Sequence, residues 1–136
     1  MSITTQVLLG LFYFNAMNHN QEIGSYGEKI AKNFLIKRGY EIVSKNIKTS
    51  FKEIDLVVKK DDILVFVEVK TRTSAFLGFA DEMMSVKKID NLKTAASLYL
   101  NRVQNLNYKN IRFDFIAVDI DKVIKTAKIK HFKDII

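Results

Sequence analysis

Two apolar runs suited to the interior of a sheet each carry charge at one end, and this placement limits what the chain can fold into. Asp55 opens the run Leu56-Val57-Val58, and thirteen residues later Glu68-Val69-Lys70 closes the run Ile63-Leu64-Val65-Phe66-Val67. Both runs are rich in β-branched residues and are separated by Lys60-Asp61-Asp62, so they read as two strands joined by a hairpin turn. Alternation puts Ile63, Val65, Val67 and Val69 on one face of the second strand and Leu64, Phe66, Glu68 and Lys70 on the other. Moving carboxylates and an ammonium out of water is costly. A small domain tolerates it where the charges neutralise one another or hold a metal ion.

The surrounding pattern supplies partners for these strands. From Glu22 to Arg38 the apolar positions Ile23, Tyr26, Ile30, Ala31, Phe34 and Leu35 recur at helical spacing, and Lys37-Arg38-Gly39 reads as the stop. Glu28 borders the buried face of that helix. Tyr40 to Val43 reads as a first strand, Asn46 to Phe51 as a connection or the start of the next, and Glu53 to Lys59 as a strand. Thr73 to Ala80, with Gly78, is a loop. A second helix starts at Glu82, with Val86, Ile89, Leu92, Ala96 and Tyr99 as its stripe. Ile111 to Ile120 is a further strand, and Ala127 to Phe132 adds an edge strand. The expected architecture is one α/β domain of order α-β-β-β-α-β, with additions at both ends and no internal repeat.

With 136 residues, 48% of them hydrophobic, the chain can build one real core. It has no cysteine, which excludes disulfides, thiolate zinc sites and cysteine nucleophiles, and agrees with the cytoplasmic location we expect. Its formal charge of +7 attracts polyanions. No helix carries a strongly basic amphipathic face, which favours nucleic acid over a membrane surface. Val7 to Phe14 is apolar but too short to span a bilayer, and no Lys or Arg precedes it. Met17 follows, and we expect it to be the natural start. Residues 1–16 are then a non-native or accessory extension, the alternative being a short docked helix, and residues 17–136 form the domain.

Asp55 and Glu68 suit a hard divalent cation such as Mg²⁺ or Mn²⁺, which takes oxygen ligands and retains several waters. The backbone carbonyl of Val69 offers a third ligand. Such an ion polarises a phosphodiester and lowers the pKa of an attacking water. Lys70 can orient that water or offset charge on the phosphorane, and Glu28 can complete the shell through water. The competing reading is a satisfied Glu68–Lys70 ion pair with Asp55 merely ending a strand. Spacing alone leaves both open.

Several segments together carry a family resemblance: Gly24-x-x-Gly27-Glu28 with Ala31 and Phe34-Leu35, Gly39-Tyr40, Asn46, Glu53-Ile54-Asp55-Leu56, Phe66-Val67-Glu68-Val69-Lys70-Thr71-Arg72, Val86-x-Lys88, Tyr99-Leu100 and Arg112-Phe113-Asp114. From Gly24 to about Asp119 the chain resembles the YraN family of endonuclease-like proteins, which is similar to the PD-(D/E)xK nuclease superfamily and its Holliday-junction resolvases. The resemblance implies a restriction-endonuclease-like fold, a mixed central sheet flanked by helices. It also implies that Asp55, Glu68 and Lys70 hold the active-site positions and Glu28 that of the first-helix glutamate. A two-fold homodimer is the assembly that resolvase-like relatives suggest. Lys52 stands where the family pattern has glycine, which alters the turn before Asp55 or adds a phosphate contact.

The functional expectation is a metal-dependent nuclease acting on DNA, on branched or damaged structures. The alternatives are a nucleic-acid-binding module without turnover and a protein-interaction domain held by salt bridges. Lys52, Arg72, Lys87 and Lys88, with Lys93 nearby, are the candidate phosphate contacts. Asp114, flanked by Phe113 and Phe115, reads as a support of the fold. His19 and His131 read as isolated. Gly24 and Gly27 read as close-packing positions at the helix start. Tyr99 reads as core, and Tyr108 as either core or a stacking surface.

Overall fold

A computed structural model of the chain describes residues 2–8, 20–73 and 86–136. The elements are β1 (Ser2–Leu8), α1 (Asn20–Lys37), β2 (Glu41–Lys48), β3 (Glu53–Lys60), β4 (Ile63–Arg72), α2 (Val86–Arg102), β5 (Asn110–Asp121) and β6 (Thr126–Phe132). From α1 to β5 this is the expected α-β-β-β-α-β core. The strands form one mixed sheet in the order β1-β6-β5-β4-β3-β2. β4 and β5 pair in parallel, and the other four pairs are antiparallel. A parallel pair needs a long crossover, and α2 lies within it.

Local sequence explains the joints. α1 ends where Gly39 takes a φ of +88°. Gly39 N–H donates to Ile36 O at 3.0 Å and Tyr40 N–H to Leu35 O at 3.1 Å, the paired bonds of a Schellman cap. Tyr40 then packs into the same core as Leu35. The β3–β4 hairpin turns on Asp61 and Asp62, at φ 52° and 64°, a two-residue turn with both residues left-handed. Aspartate tolerates that region better than most residues.

Both faces of the sheet are covered at its centre, which is why β3 and β4 read as nearly continuous apolar runs. Ile30, Ala31, Phe34 and Leu35 of α1 bury Leu56, Val58, Val65, Val67, Ile116 and Val118. Leu92, Ala95, Ala96 and Tyr99 of α2 bury Ile54, Val57, Leu64 and Phe66. Each fully buried large side chain contributes about 1.5–3 kcal/mol relative to exposure. Tyr99 meets Phe66 edge-on at 5.9 Å, so it is core as expected.

Gly27 fixes how close α1 comes to β4. A Cβ there would overlap the side chain of Thr71, with Cγ2 at 2.6 Å. Among the described residues, outside its own helix turn, nothing lies within 4 Å of where a Gly24 Cβ would stand, so close packing there is shown for Gly27 alone.

The differences from the sequence reading lie at the edges. β2 runs past Val43 to Lys48, passing Asn46 at φ 49°. β6 is not the edge strand, because Ser2–Leu8 pairs outside it from Ser2↔Phe132 to Leu8↔Thr126. Ser2–Leu8 is a strand, and residues 9–16 of the extension lie outside the described residues. Arg38 donates to Thr5 Oγ1 at 2.9 Å and Gln6 to Thr126 Oγ1 at 3.1 Å. Met17, His19, Gly78 and the expected helix start at Glu82 lie outside the described residues. Among the described residues no helix is long and apolar enough to cross a membrane.

Candidate functional site

The β3–β4 ladder stops at Leu56↔Val67, one position short of Asp55 and Glu68. Asp55 turns its carboxylate into the opening and accepts the Val69 N–H on Oδ2 at 2.8 Å. The Val69 N–H thus holds Asp55, a bond that leaves the Val69 carbonyl out of this contact. α1 lies over the same end of the sheet, held down at Gly27, and contributes Glu28. Carboxylate oxygens of Glu28, Glu53 and Asp55 lie within 4.8 Å of one another.

Glu53 was not among the candidate residues. Its position two residues before Asp55 is the signal that could have found it, since alternate strand residues share a face. All the donors in this group are carboxylates, a hard set that fits Mg²⁺ or Mn²⁺ and not a thiophilic metal.

The electrostatics record the crowding. Burial first, and then the Glu68 carboxylate, push the Asp55 pKa up to about 7; Glu28 adds to the rise, while the Val69 N–H and Lys52 oppose it. Burial, then Glu53 and Glu68, raise Glu28 above its ordinary range, with Lys45 pulling the other way. Like charges in a partly desolvated site repel one another, and a bound cation would relieve that repulsion. Glu68 is not in the three-carboxylate group, but it stands close enough to raise both Asp55 and Glu28.

Glu68 is not paired with Lys70, as the competing reading proposed. Its Oε2 receives Lys52 Nζ at 2.9 Å, with both side chains about four-fifths buried. Lys70 lines an open cleft of about 390 Å³ with Gly24, Glu28, Val69, Thr71 and Arg72. Among the described residues no ion pair engages its ammonium. On the other side of Glu28 a cleft of about 300 Å³ is bordered by Lys29, Lys32 and Lys45 with Ser25, Asn33 and Asn46. These three lysines, on α1 and β2, were missed because nothing in the sequence joins the two elements beside Glu28.

The expected phosphate contacts divide differently. Arg72 faces Asp119, its partner across the β4–β5 ladder, with Nε 3.6 Å from Oδ1 and the side chain largely buried. It ties β4 to β5 and also borders the open cleft that Lys70 lines. Lys88 is half-buried on α2. The side chain of Lys87 lies outside the described residues.

A second charged group occupies the sheet away from the acidic cluster. Asp114 is fully buried. It takes two bonds from Arg112 at 2.8 Å, one from Asp134 N–H at 3.0 Å, and lies 2.8 Å from His131 Nε2. Arg112 also donates to the Tyr40 hydroxyl at 2.8 Å. His131 is therefore not isolated, since the sheet brings it beside Asp114. Burial alone would raise Asp114, but the bonds from His131, Arg112 and Asp134 hold it below the usual carboxylate range. Asp114 supports the fold, as expected.

The fold and this site define an α/β protein with an acidic, cation-suited cluster where two central strands part. The chain belongs to the family described as "Uncharacterised protein family UPF0102", whose model matches residues 27–118. It is similar to a UPF0102 protein of Syntrophomonas wolfei, 42% identical over 112 residues, covering 82% of this chain and 95% of the relative. A UPF0102 protein of Dictyoglomus turgidum is 42% identical over 100 residues, covering 74% and 84%. One of Clostridioides difficile is 41% identical over 100 residues, covering 74% and 87%. The matched region spans Glu28, Glu53, Asp55, Glu68 and Lys70.

Proposed function

We propose that this protein is a metal-dependent nuclease of the PD-(D/E)xK type, acting on DNA phosphodiesters and on branched or damaged structures in particular. The observation that carries the reading is the gathering of Glu28, Glu53 and Asp55 within 4.8 Å of one another, with Glu68 near enough to raise Asp55 and Glu28. Carboxylates that raise one another's pKa in a partly desolvated site are costly to gather without a cation to share. Asp55 and Glu68 would hold Mg²⁺ or Mn²⁺, with the Val69 carbonyl as a third donor. When bound, the ion supplies Lewis acidity toward the phosphate and lowers the pKa of the attacking water.

The chain's own groups do the rest. The Val69 N–H fixes the rotamer of Asp55. Glu28 borders both clefts, where it can accept a hydrogen bond from the water and orient it. Lys70 places an ammonium in the neighbouring cleft, to offset charge that develops on the phosphorane. Lys32 and Lys45 border the other, where a phosphate backbone would meet positive charge before it reached the acids.

The test is incubation of the full chain with branched, flapped, nicked and single-stranded DNA plus Mg²⁺ or Mn²⁺. Cleavage that disappears in Asp55→Ala and Glu68→Ala is the expected result. The idea fails if nothing is cut, or if those variants cut as well as wild type. The ion pair that occupies Glu68 favours a second reading, a nucleic-acid-binding module without turnover. Binding strengthened by Asp55→Ala, with no cut in any metal, would select it.

A further inference from the structure

Lys52 is held in place from behind. Thr49 Oγ1 donates to Lys52 O at 2.6 Å and accepts the Lys52 N–H at 2.9 Å, and Thr49 N–H also reaches Lys52 O at 3.3 Å. This closed turn aims the side chain along the acidic cluster. Lys52 Nζ reaches Glu68 Oε2 at 2.9 Å while about four-fifths of the side chain is out of solvent. The backbone does not demand glycine here, because Lys52 is not among the residues with positive φ. The side chain therefore acts through its charge.

We propose that Lys52 is a built-in counter-ion that competes with a divalent cation for Glu68, so that metal enters this site only by displacing the ammonium. The inference rests on the metal reading above and adds a residue that sets the affinity. A hard cation binds a carboxylate oxygen at about 2.0–2.6 Å. An ammonium held at hydrogen-bond distance from the same oxygen obstructs that approach and repels a double charge at close range in a poorly screened setting. Once displaced, a lysine on its flexible four-carbon stem remains beside the cluster, free to meet a phosphate oxygen. A phosphodiester that arrives with the metal supplies negative charge for both cations. Metal and nucleic acid then favour each other's binding, although each alone binds weakly. Binding free energies require this coupling to be reciprocal.

The experiment is calorimetric titration of Mn²⁺ into the full chain at constant ionic strength without nucleic acid. It compares wild type with Lys52→Gln, Lys52→Met, Lys52→Arg and Asp55→Asn, and each variant's fold is checked by circular dichroism and melting. Removing the charge in the glutamine or methionine variant should tighten Mn²⁺ binding about tenfold or more. Lys52→Arg should stay within about twofold of wild type, because it keeps the charge. If wild type binds and Asp55→Asn does not, yet both neutral variants match wild type, the counter-ion role is wrong and the metal reading stands. If no Lys52 variant and no wild-type sample binds Mn²⁺ saturably, both are wrong. Two neutral side chains of different polarity guard against one failing to fold.

Discussion

Asp55 and Asp114 are both aspartates on central strands of the same sheet, yet their surroundings differ in sign. Asp114 is enclosed by donors: two from Arg112, one from His131 and one from the backbone of Asp134. Its charge is more than matched, and it stays ionised below the usual range. Asp55 has one backbone donor and the neighbouring acids Glu28, Glu53 and Glu68, and its pKa rises to about 7. A completed polar network specifies a fold. A cluster left short of positive charge stores repulsion that a ligand can relieve, and such sites are where function concentrates.

The sharpest way to break this comparison is to neutralise each aspartate in turn. Asp114→Ala should cost about 3–5 kcal/mol, because it strands a buried guanidinium. Denaturant unfolding checks this, and a loss below about 1 kcal/mol would show that the network does not hold the sheet. Its contribution should also fade in acid: a lowered carboxyl pKa stabilises above the ordinary value, and that stability is lost as pH falls through the folded one.

Asp55→Asn should act in the opposite direction, stabilising the protein above pH 7 by on the order of 1–2 kcal/mol after allowing for water access. Between the ordinary value of 3.8 and about 7 the folded chain keeps a proton that the unfolded chain has lost. Wild-type stability from this group therefore falls as pH rises through that window, and the variant should lack the slope. Melting curves from pH 4 to 8 compare the two. An equal slope in both would remove Asp55 as its cause.

Gly27→Ala sharpens the link between packing and site. The added methyl meets Thr71, so α1 must lift from β4 at a cost of about 1–3 kcal/mol. Because Glu28 follows directly, Mn²⁺ binding should weaken as well, and Thr71→Ala in the same chain should restore much of both. A double variant no better than the single one would place the cause elsewhere. The smallest effect concerns the flanking lysines. Lys45→Ala should reduce the salt dependence of DNA binding by about one unit of slope with little change in stability. An unchanged slope would take Lys45 out of the interface.

Much of this was legible in the sequence, for reasons that differ by element. The α1 stripe and its Gly39 stop, the Asp61-Asp62 turn and the runs of β3 and β4 are local patterns, and the structure reproduces them. Of the acids singled out for charge at strand ends and on a helix border, Asp55 and Glu28 do come together, joined by Glu53. What escaped depends on contacts between distant segments. Ser2–Leu8 becomes a strand only because β6 offers an edge. His131 gains a partner only when β6 lies beside β5. Arg72 is drawn inward by Asp119, forty-seven residues away in the chain. Lys52 looked like a surface contact because its target, Glu68, lies beyond a hairpin.

The most direct measurement is anomalous diffraction from crystals of the full chain grown or soaked with Mn²⁺. The account predicts a peak at coordinating distance from both Asp55 and Glu68, with Lys52 moved off Glu68, and no peak in Asp55→Asn crystals. A map with no manganese at the cluster, or with Lys52 still bonded to Glu68 and manganese bound only elsewhere, would contradict it.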